Sequence, residues 1–425
     1  MYPRMRILAT AAAMAVAAGG LAACGDDDDG GSTGGDSGGG ASSVTVLSSL
    51  PLQGASKDQT NAMVDGMKLA LKEAGGKAGD VTVKYTSLDD STAQAGKWDP
   101  TQTGANARKA VSDKSVVAYI GEFNSGASQI SMPVLNQAGI AQISPANTAV
   151  GLTTDEPGAE AGEPGKYAPS GKKTYMRIVP RDTIQGAALL ATFKEEGCTK
   201  VATANDQETY GKGLAKVIDL KAKDAGVTIT SDTGIQPDAA NFRAYASKIK
   251  GEGADCFLFS GVTANGAAQI YKDVAAAIPN VKLYGPDGVC ESGLTNPSKG
   301  GLPKSLAGQF KCTVATLDLK SYPGGETFLK AFSGEYGDDS PDPYAIYGYE
   351  AMKLVLDTIG KLPADQVNRE GVLAALLATK DRDSALGTYS FDENGDTTLT
   401  DYGLYEVGPD GDPTFEKAIK AAPAR

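Results

Sequence analysis

The chain predicts an α/β protein of two parallel-sheet lobes, on three observations. From Val44 onward, short β-branched or apolar runs alternate with amphipathic helical stretches, the pattern of parallel strands joined by crossover helices. This alternation runs in two series, separated by the Gly-, Pro- and Glu-rich stretch 155–173. The roughly 380 residues that follow a low-complexity N-terminal region also exceed one typical domain.

Element by element, the first series reads as strand 44–50, helix 61–73, strand 81–88, helix 104–112, strand 116–120, helix 128–137 and strand 141–144. Met63, Met67, Ala70 and Leu71 recur at helical spacing and give the first helix one apolar face. A strand at 175–178 opens the second series: helix 185–196, strand 200–205, helix 211–225, strand 227–233, helix 242–250, strand 256–260, helix 264–277 and strand 282–284. Helices follow at 325–336, 345–362 and 369–377, and a last strand at 402–407. Pro157, Pro164 and Pro169 mark 155–173 as a surface insertion.

Composition narrows the function. A formal charge of −12, from 40 Lys and Arg against 52 Asp and Glu, leaves no basic footprint for nucleic acid. The chain has no histidine, which removes the commonest general base and every Ser-His or Cys-His nucleophile arrangement. No Cys-x-x-Cys pair is present, and no metal or cofactor is expected. Asp392 to Asp396 resembles a calcium loop only at its start: the sixth position is Thr397 and the twelfth Gly403, so it reads as a turn before the last strand.

The N-terminus carries an address. Arg4 and Arg6 precede an apolar run that ends Leu21-Ala22-Ala23-Cys24, too short to span a bilayer as a mature helix. The segment resembles a bacterial lipobox, which implies cleavage of residues 1–23, acylation of Cys24 and a location on the outer face of the cell membrane. Residues 24–43, nearly all Gly, Asp, Ser and Thr, read as a flexible tether. Export leaves Cys198, Cys256, Cys290 and Cys312 in an oxidising compartment. Pairing Cys198 with Cys256 and Cys290 with Cys312 is favoured, because the first two each open a predicted strand of one sheet; four buried thiols are the alternative.

Five segments then carry a resemblance. The loop Gly121-Glu122-Phe123-Asn124-Ser125-Gly126 joins a strand to a helix, where a helix N-terminus favours an anion such as a carboxylate. It is followed by Ile143-Ser144-Pro145-Ala146-Asn147-Thr148, Thr209-Tyr210-Gly211-Lys212-Gly213, Phe259-Ser260-Gly261 with Tyr284-Gly285-Pro286-Asp287-Gly288, and Asp342-Pro343-Tyr344. In this order, across nearly all the chain from Val44, they are similar to the ligand loops of branched-chain amino-acid-binding proteins, the type I periplasmic solute receptors of ABC transporters.

The resemblance implies two doubly wound parallel-sheet lobes joined by a three-segment hinge, near 178–181, 312–316 and 394–402. The N-terminal lobe would hold 44–178 with 317–394, the other 180–311 with 400–425. Ser125 and Thr148 would hold a ligand α-carboxylate, the Ala146 carbonyl and Asp287 its α-ammonium, and Tyr210 would close over it. Phe123, Thr263 and Tyr344 would wall the side-chain pocket. Where branched-chain binders often carry an aromatic this chain has Val262-Thr263-Ala264, and 53–59 holds no tyrosine, so a wider or more polar pocket is expected. The implied function is that of a monomeric, non-enzymatic amino-acid receptor delivering ligand to a membrane permease. The rival from the same fold is a sensor for an amide or other small polar solute acting in signalling; an extracellular enzyme would need a catalytic constellation that the sequence lacks.

Overall fold

In the computed structural model, which describes residues 42–420, the alternating pattern folds into two sheets of six and seven strands. The first lobe runs β1 (Ser43–Leu50), α1 (Lys57–Glu73), β2 (Lys77–Ala78), β3 (Val81–Asp89), a small hairpin β4 (Ser91–Thr92) and β5 (Lys97–Trp98), α2 (Pro100–Ser112), β6 (Val116–Gly121), α3 (Ser125–Gln137), β7 (Ala141–Ser144) and β8 (Tyr175–Arg177). Its strand order is β2-β3-β1-β6-β7-β8, parallel except for the short β2. Strands β1 and β6 are buried almost throughout, as a parallel sheet covered on both faces requires.

The second lobe runs α4 (Asp182–Glu195), β9 (Lys200–Asn205), α5 (Thr209–Ala225), β10 (Thr228–Gly234), α6 (Arg243–Glu252), β11 (Cys256–Ser260), α7 (Ala268–Ala277), β12 (Lys282–Gly285), the short α8 (Ser292–Thr295) and β13 (Phe310–Val314). The chain then returns to the first lobe for α9 (Gly325–Tyr336), α10 (Ala345–Lys361) and α11 (Arg369–Leu377); α10 packs on α1 and α11 on β6. It ends in the second sheet as β14 (Asp401–Val407) and β15 (Pro413–Lys420), giving the order β10-β9-β11-β12-β13-β14-β15. Only the last two strands are antiparallel to their neighbours. Tyr271 anchors this lobe's core, its ring edge-on to Phe257, Phe259 and Phe310 at 5.2–6.1 Å.

Three chain crossings therefore join the lobes, after β8, after β13 and before β14. A buried ion pair ties the first to the third. The Arg177 guanidinium, fully buried, donates to Asp396 at 2.6 Å, to the carbonyls of Asn147 and Ala149, and to Thr153. Arg181 reaches the other Asp396 oxygen at 2.6 Å. Burial works to raise the Asp396 pKa, but the two guanidiniums overcome it and hold the carboxyl below its ordinary value. The Asp392–Asp396 stretch is a turn, as read from sequence: Asp392 accepts from the backbone N–H of Asn394 and Asp396.

Several expected boundaries move. Helices α1, α2 and α3 begin four, four and three residues earlier than predicted, since their polar first turns carry no apolar period. The helix expected from 264 becomes an irregular turn over Thr263–Ala267, with Gly266 at φ +83°, before α7 proper. Residues 312–316, expected as hinge alone, contribute Cys312 to Val314 to β13, and the crossing starts at Ala315. The hairpin and β15 were not foreseen. Cys198 bonds to Cys256 and Cys290 to Cys312, with Cα atoms 5.9 and 5.5 Å apart; Cys198 lies just before β9 rather than opening it. The insertion 155–173 reaches the second lobe, where Lys216 donates to the Ala159 carbonyl and Arg181 meets Glu156. The cleavage site, Cys24, most of the tether and residues 421–425 lie outside the described residues.

Candidate functional site

Four loops that follow the carboxyl ends of parallel strands converge between the lobes, the place where open α/β sheets present ligand sites. The loops after β6 and β7 supply Phe123, Asn124, Ser125, Gly126, Ala146 and Thr148; the second lobe supplies Glu208 and Tyr210 at the start of α5, Val262 after β11 and Asp287 with Gly288 after β12. The lobes meet closely here. The cavity between them measures about 20 Å³, little more than one water requires.

Asp287 dominates the electrostatics. One of its oxygens accepts from Gln185 Nε2 at 2.8 Å and from the Tyr210 hydroxyl, and the other accepts from the Tyr344 hydroxyl at 3.0 Å. Tyr210 and Gln185 belong to the second lobe, whereas Tyr344 stands at the start of α10 in the first, so this carboxylate is held from both sides of the cleft. Burial raises its pKa above the ordinary carboxylate value even though all three donors oppose the rise. Asp182, first residue of α4, is buried within the field of Asp287, with the Thr148 hydroxyl as the one neighbour that favours its charge besides Arg177. Burial, and then Asp287, push it well above its ordinary value.

The opposite wall is neutral with a positive bias. The first turn of α3 brings Ser125 and Gly126 to the cavity, and with them the positive end of the helix dipole. The Ser125 hydroxyl accepts from the Ala149 N–H at 3.3 Å, and the Thr148 carbonyl accepts from the Asp182 N–H at 2.7 Å, so both loops are fixed by the hinge side of the lobe. Phe123 and Tyr344 meet edge to face at 6.1 Å, forming an aromatic side to the site.

The β4–β5 hairpin closes the outer edge. Lys97 donates to Glu208 and to Asn265 across the cleft, each at 2.6 Å, and the indole N–H of Trp98 donates to the second Glu208 oxygen at 3.0 Å. A Cβ at Gly126 would stand 2.7 Å from the Trp98 ring, so the glycine is what lets the indole lie on the start of α3.

Of the residues singled out from sequence, Phe123, Ser125, Ala146, Thr148, Tyr210 and Asp287 line one cavity. Tyr344 stands behind it, bonded to Asp287. Thr263 lies off its wall, its hydroxyl 3.5 Å from the Gly288 carbonyl. Gln185, Asp182 and the Lys97–Trp98 latch were not foreseen. A glutamine or aspartate in a helix's first turn has no distinguishing pattern, and a contact between lobes leaves none at all; the single tryptophan in a polar stretch was the one available signal.

The comparisons fit this geometry. Residues 43–412 match the family model described as periplasmic binding protein. The Leu/Ile/Val-binding protein BraC3 of Rhizobium johnstonii is 26% identical over 370 residues, covering 85% of this chain and 91% of that protein. Among solved structures, a leucine binding protein, LivK, from Thermotoga maritima superposes with a TM-score of 0.74 at 22% identity, covering 89% and 99% of the two chains. A solute binding protein of an ABC transporter from Rhodopseudomonas palustris HaA2, in complex with p-hydroxybenzoic acid, gives a TM-score of 0.73 at 18% identity, covering 90% and 98%. With two doubly wound lobes, a three-segment hinge and an interlobe cavity at the strands' carboxyl ends, this chain belongs to the periplasmic binding protein family.

Proposed function

We propose that the protein is an extracytoplasmic receptor for a zwitterionic amino acid, held to the membrane through Cys24 and delivering its ligand to an ABC transporter permease. The observation that carries this reading is the polarity of the cleft: a buried carboxylate, Asp287, faces a wall made by a helix N-terminus, Ser125 and Thr148. An α-ammonium placed against Asp287 gains a charge-assisted contact of about 1.5–3 kcal/mol. An α-carboxylate placed against Ser125, Thr148 and the start of α3 meets hydroxyls and a favourable dipole. The Ala146 carbonyl is a second acceptor for the ammonium, and Phe123 with Tyr344 offers an apolar face to the ligand side chain.

An amino acid needs more room than the closed cavity holds, so entry requires the lobes to part and Lys97 and Trp98 to leave Glu208. Closure over ligand then remakes the latch. The lobe boundaries that fit this motion are 44–178 with 317–394 and 180–311 with the C-terminal strands. The names of relatives such as BraC3 support an amino acid as ligand, and no catalytic constellation is needed.

A thermal-shift screen against the twenty amino acids, short amides and aromatic acids tests the reading. A ligand at 100 times its Kd stabilises by about 2.7 kcal/mol. A response confined to amino acids and lost in Asp287→Ala is expected; a response to p-hydroxybenzoate or an amide that ignores Asp287 would overturn the zwitterion assignment.

A further inference from the structure

The insertion 155–173 takes no part in the proposed site, yet it spans both lobes. It leaves the first lobe after β7 and returns to it at β8, and on that side it is built in. The buried Glu163 carboxylate accepts from the Tyr167 hydroxyl, from Gln129 Nε2 of α3 at 3.1 Å and from the Glu160 N–H at 2.7 Å, with Lys166 at 3.2 Å. Tyr167 packs in a buried cluster with Met132 of α3, Ala149, Leu152 and Tyr175. Asn136, near the end of α3, accepts from the Ser170 N–H at 2.9 Å and donates to the Lys172 carbonyl at 2.7 Å.

The tip of the insertion, 156–160, crosses to the second lobe and is held there lightly. Gly158 is buried at φ +111°, and a Cβ on it would stand 2.7 Å from Val217 of α5 and 3.0 Å from Val150 of the first lobe. Glycine is what lets the backbone pass between side chains of the two lobes here. Around it, Lys216 of α5 donates to the Ala159 carbonyl at 2.8 Å, Lys212 of α5 pairs with Glu160 at 3.2 Å, and Arg181 pairs with Glu156 at 2.9 Å. The Lys212 and Glu160 side chains are 54% and 45% exposed, so water and salt screen their attraction.

One attachment is buried and multiply bonded, and the other is shallow and partly exposed. Helices α3 and α5 are also the two whose first turns bring Ser125 and Tyr210 to the cleft, so the insertion joins the elements that separate when the lobes part. We propose that the insertion is an interlobe clasp, fixed to α3 and hooked releasably on α5, that shifts the lobes toward the closed arrangement with or without ligand. Unlike Glu208 of the latch, no residue of the insertion lines the cavity beside Asp287. The clasp therefore changes how often the cleft opens without touching what the cleft selects.

Spin labels at Lys330 on α9 and Lys250 on α6, one exposed position on each lobe, report the lobe separation in the full chain by pulsed dipolar spectroscopy with no ligand added. A short and a long separation are expected. Their closed-to-open ratio should fall about three- to tenfold in Glu160→Lys/Lys216→Ala, the loss of one exposed ion pair and one hydrogen bond. Adding Lys212→Glu, which restores the pair with its charges exchanged, should recover the ratio at least twofold. An unchanged ratio, a parent held at the long separation alone, or a charge exchange without recovery would each overturn the clasp. Because no ligand is added, failure of the amino-acid reading would leave this result intact.

Discussion

Asp287 and Glu291 stand four residues apart in one loop, both buried between the lobes, and their surroundings are opposite. Asp287 is gripped by Gln185, Tyr210 and Tyr344, whereas Glu291 has only the Thr263 and Ser56 hydroxyls near it and no close hydrogen bond. The Cys290–Cys312 disulfide between them staples the loop to β13. A third carboxylate, Asp396 at the hinge, is fully ion-paired to Arg177 and Arg181. The three teach that burial alone says little about a carboxylate's role. Neutral hydroxyl and amide donors leave Asp287 able to exchange partners with a ligand ammonium, two guanidiniums make Asp396 a fastening, and burial without a cation leaves Glu291 holding its proton up to about pH 7.

The largest effect expected from breaking this comparison is at the fastening. Asp396→Ala leaves Arg177 buried and uncompensated, which should cost about 3–5 kcal/mol; the shift in urea midpoint at constant slope measures it. Glu291 should behave in the opposite way. Its folded pKa lies at about 7 against an ordinary 4.5, so its stabilising contribution is complete below about pH 4.5 and is lost as pH rises through 7. Glu291→Gln should therefore match the parent near pH 4.5 and be more stable by roughly 2–3 kcal/mol at pH 8, read from urea titrations at both pH values. A parent chain whose stability is flat across that window would remove Glu291's claim to be unpaired. The smallest effect belongs to the latch: Lys97 is about a third exposed, and Lys97→Ala should cost under about 1 kcal/mol, seen as a few-fold faster ligand release in stopped-flow.

What could be read in advance follows the same division between local and distant causes. Helix α9 carries a clear apolar period, and it and α11 were placed to the residue, as were the short buried strands β7, β9 and β11. Strand β15 begins with Pro413 and carries Glu416, Lys417 and Lys420 along an exposed edge, so nothing local marks it as a strand. Strand β13 is five residues with Lys311 at its second position, and only its neighbours β12 and β14 make it one. In the cleft, Asp287, Tyr210 and Ser125 sit in loops whose order along the chain is recognisable. Gln185 and Trp98 matter through partners more than 20 residues away, Asp287 and Glu208, and Glu291 is notable for lacking a close one.

The most direct test of the account uses Trp98, the only tryptophan, whose indole N–H is bonded across the cleft to Glu208. Its emission should be titrated with the best amino acid from the screen, with the same compound amidated at its carboxylate, and with the analogue lacking its amine, on the parent and on Asp287→Asn. The account predicts a saturable change with the amino acid alone, weakened at least tenfold by Asp287→Asn. Equal response to the analogue without the amine, or binding indifferent to Asp287, would contradict it.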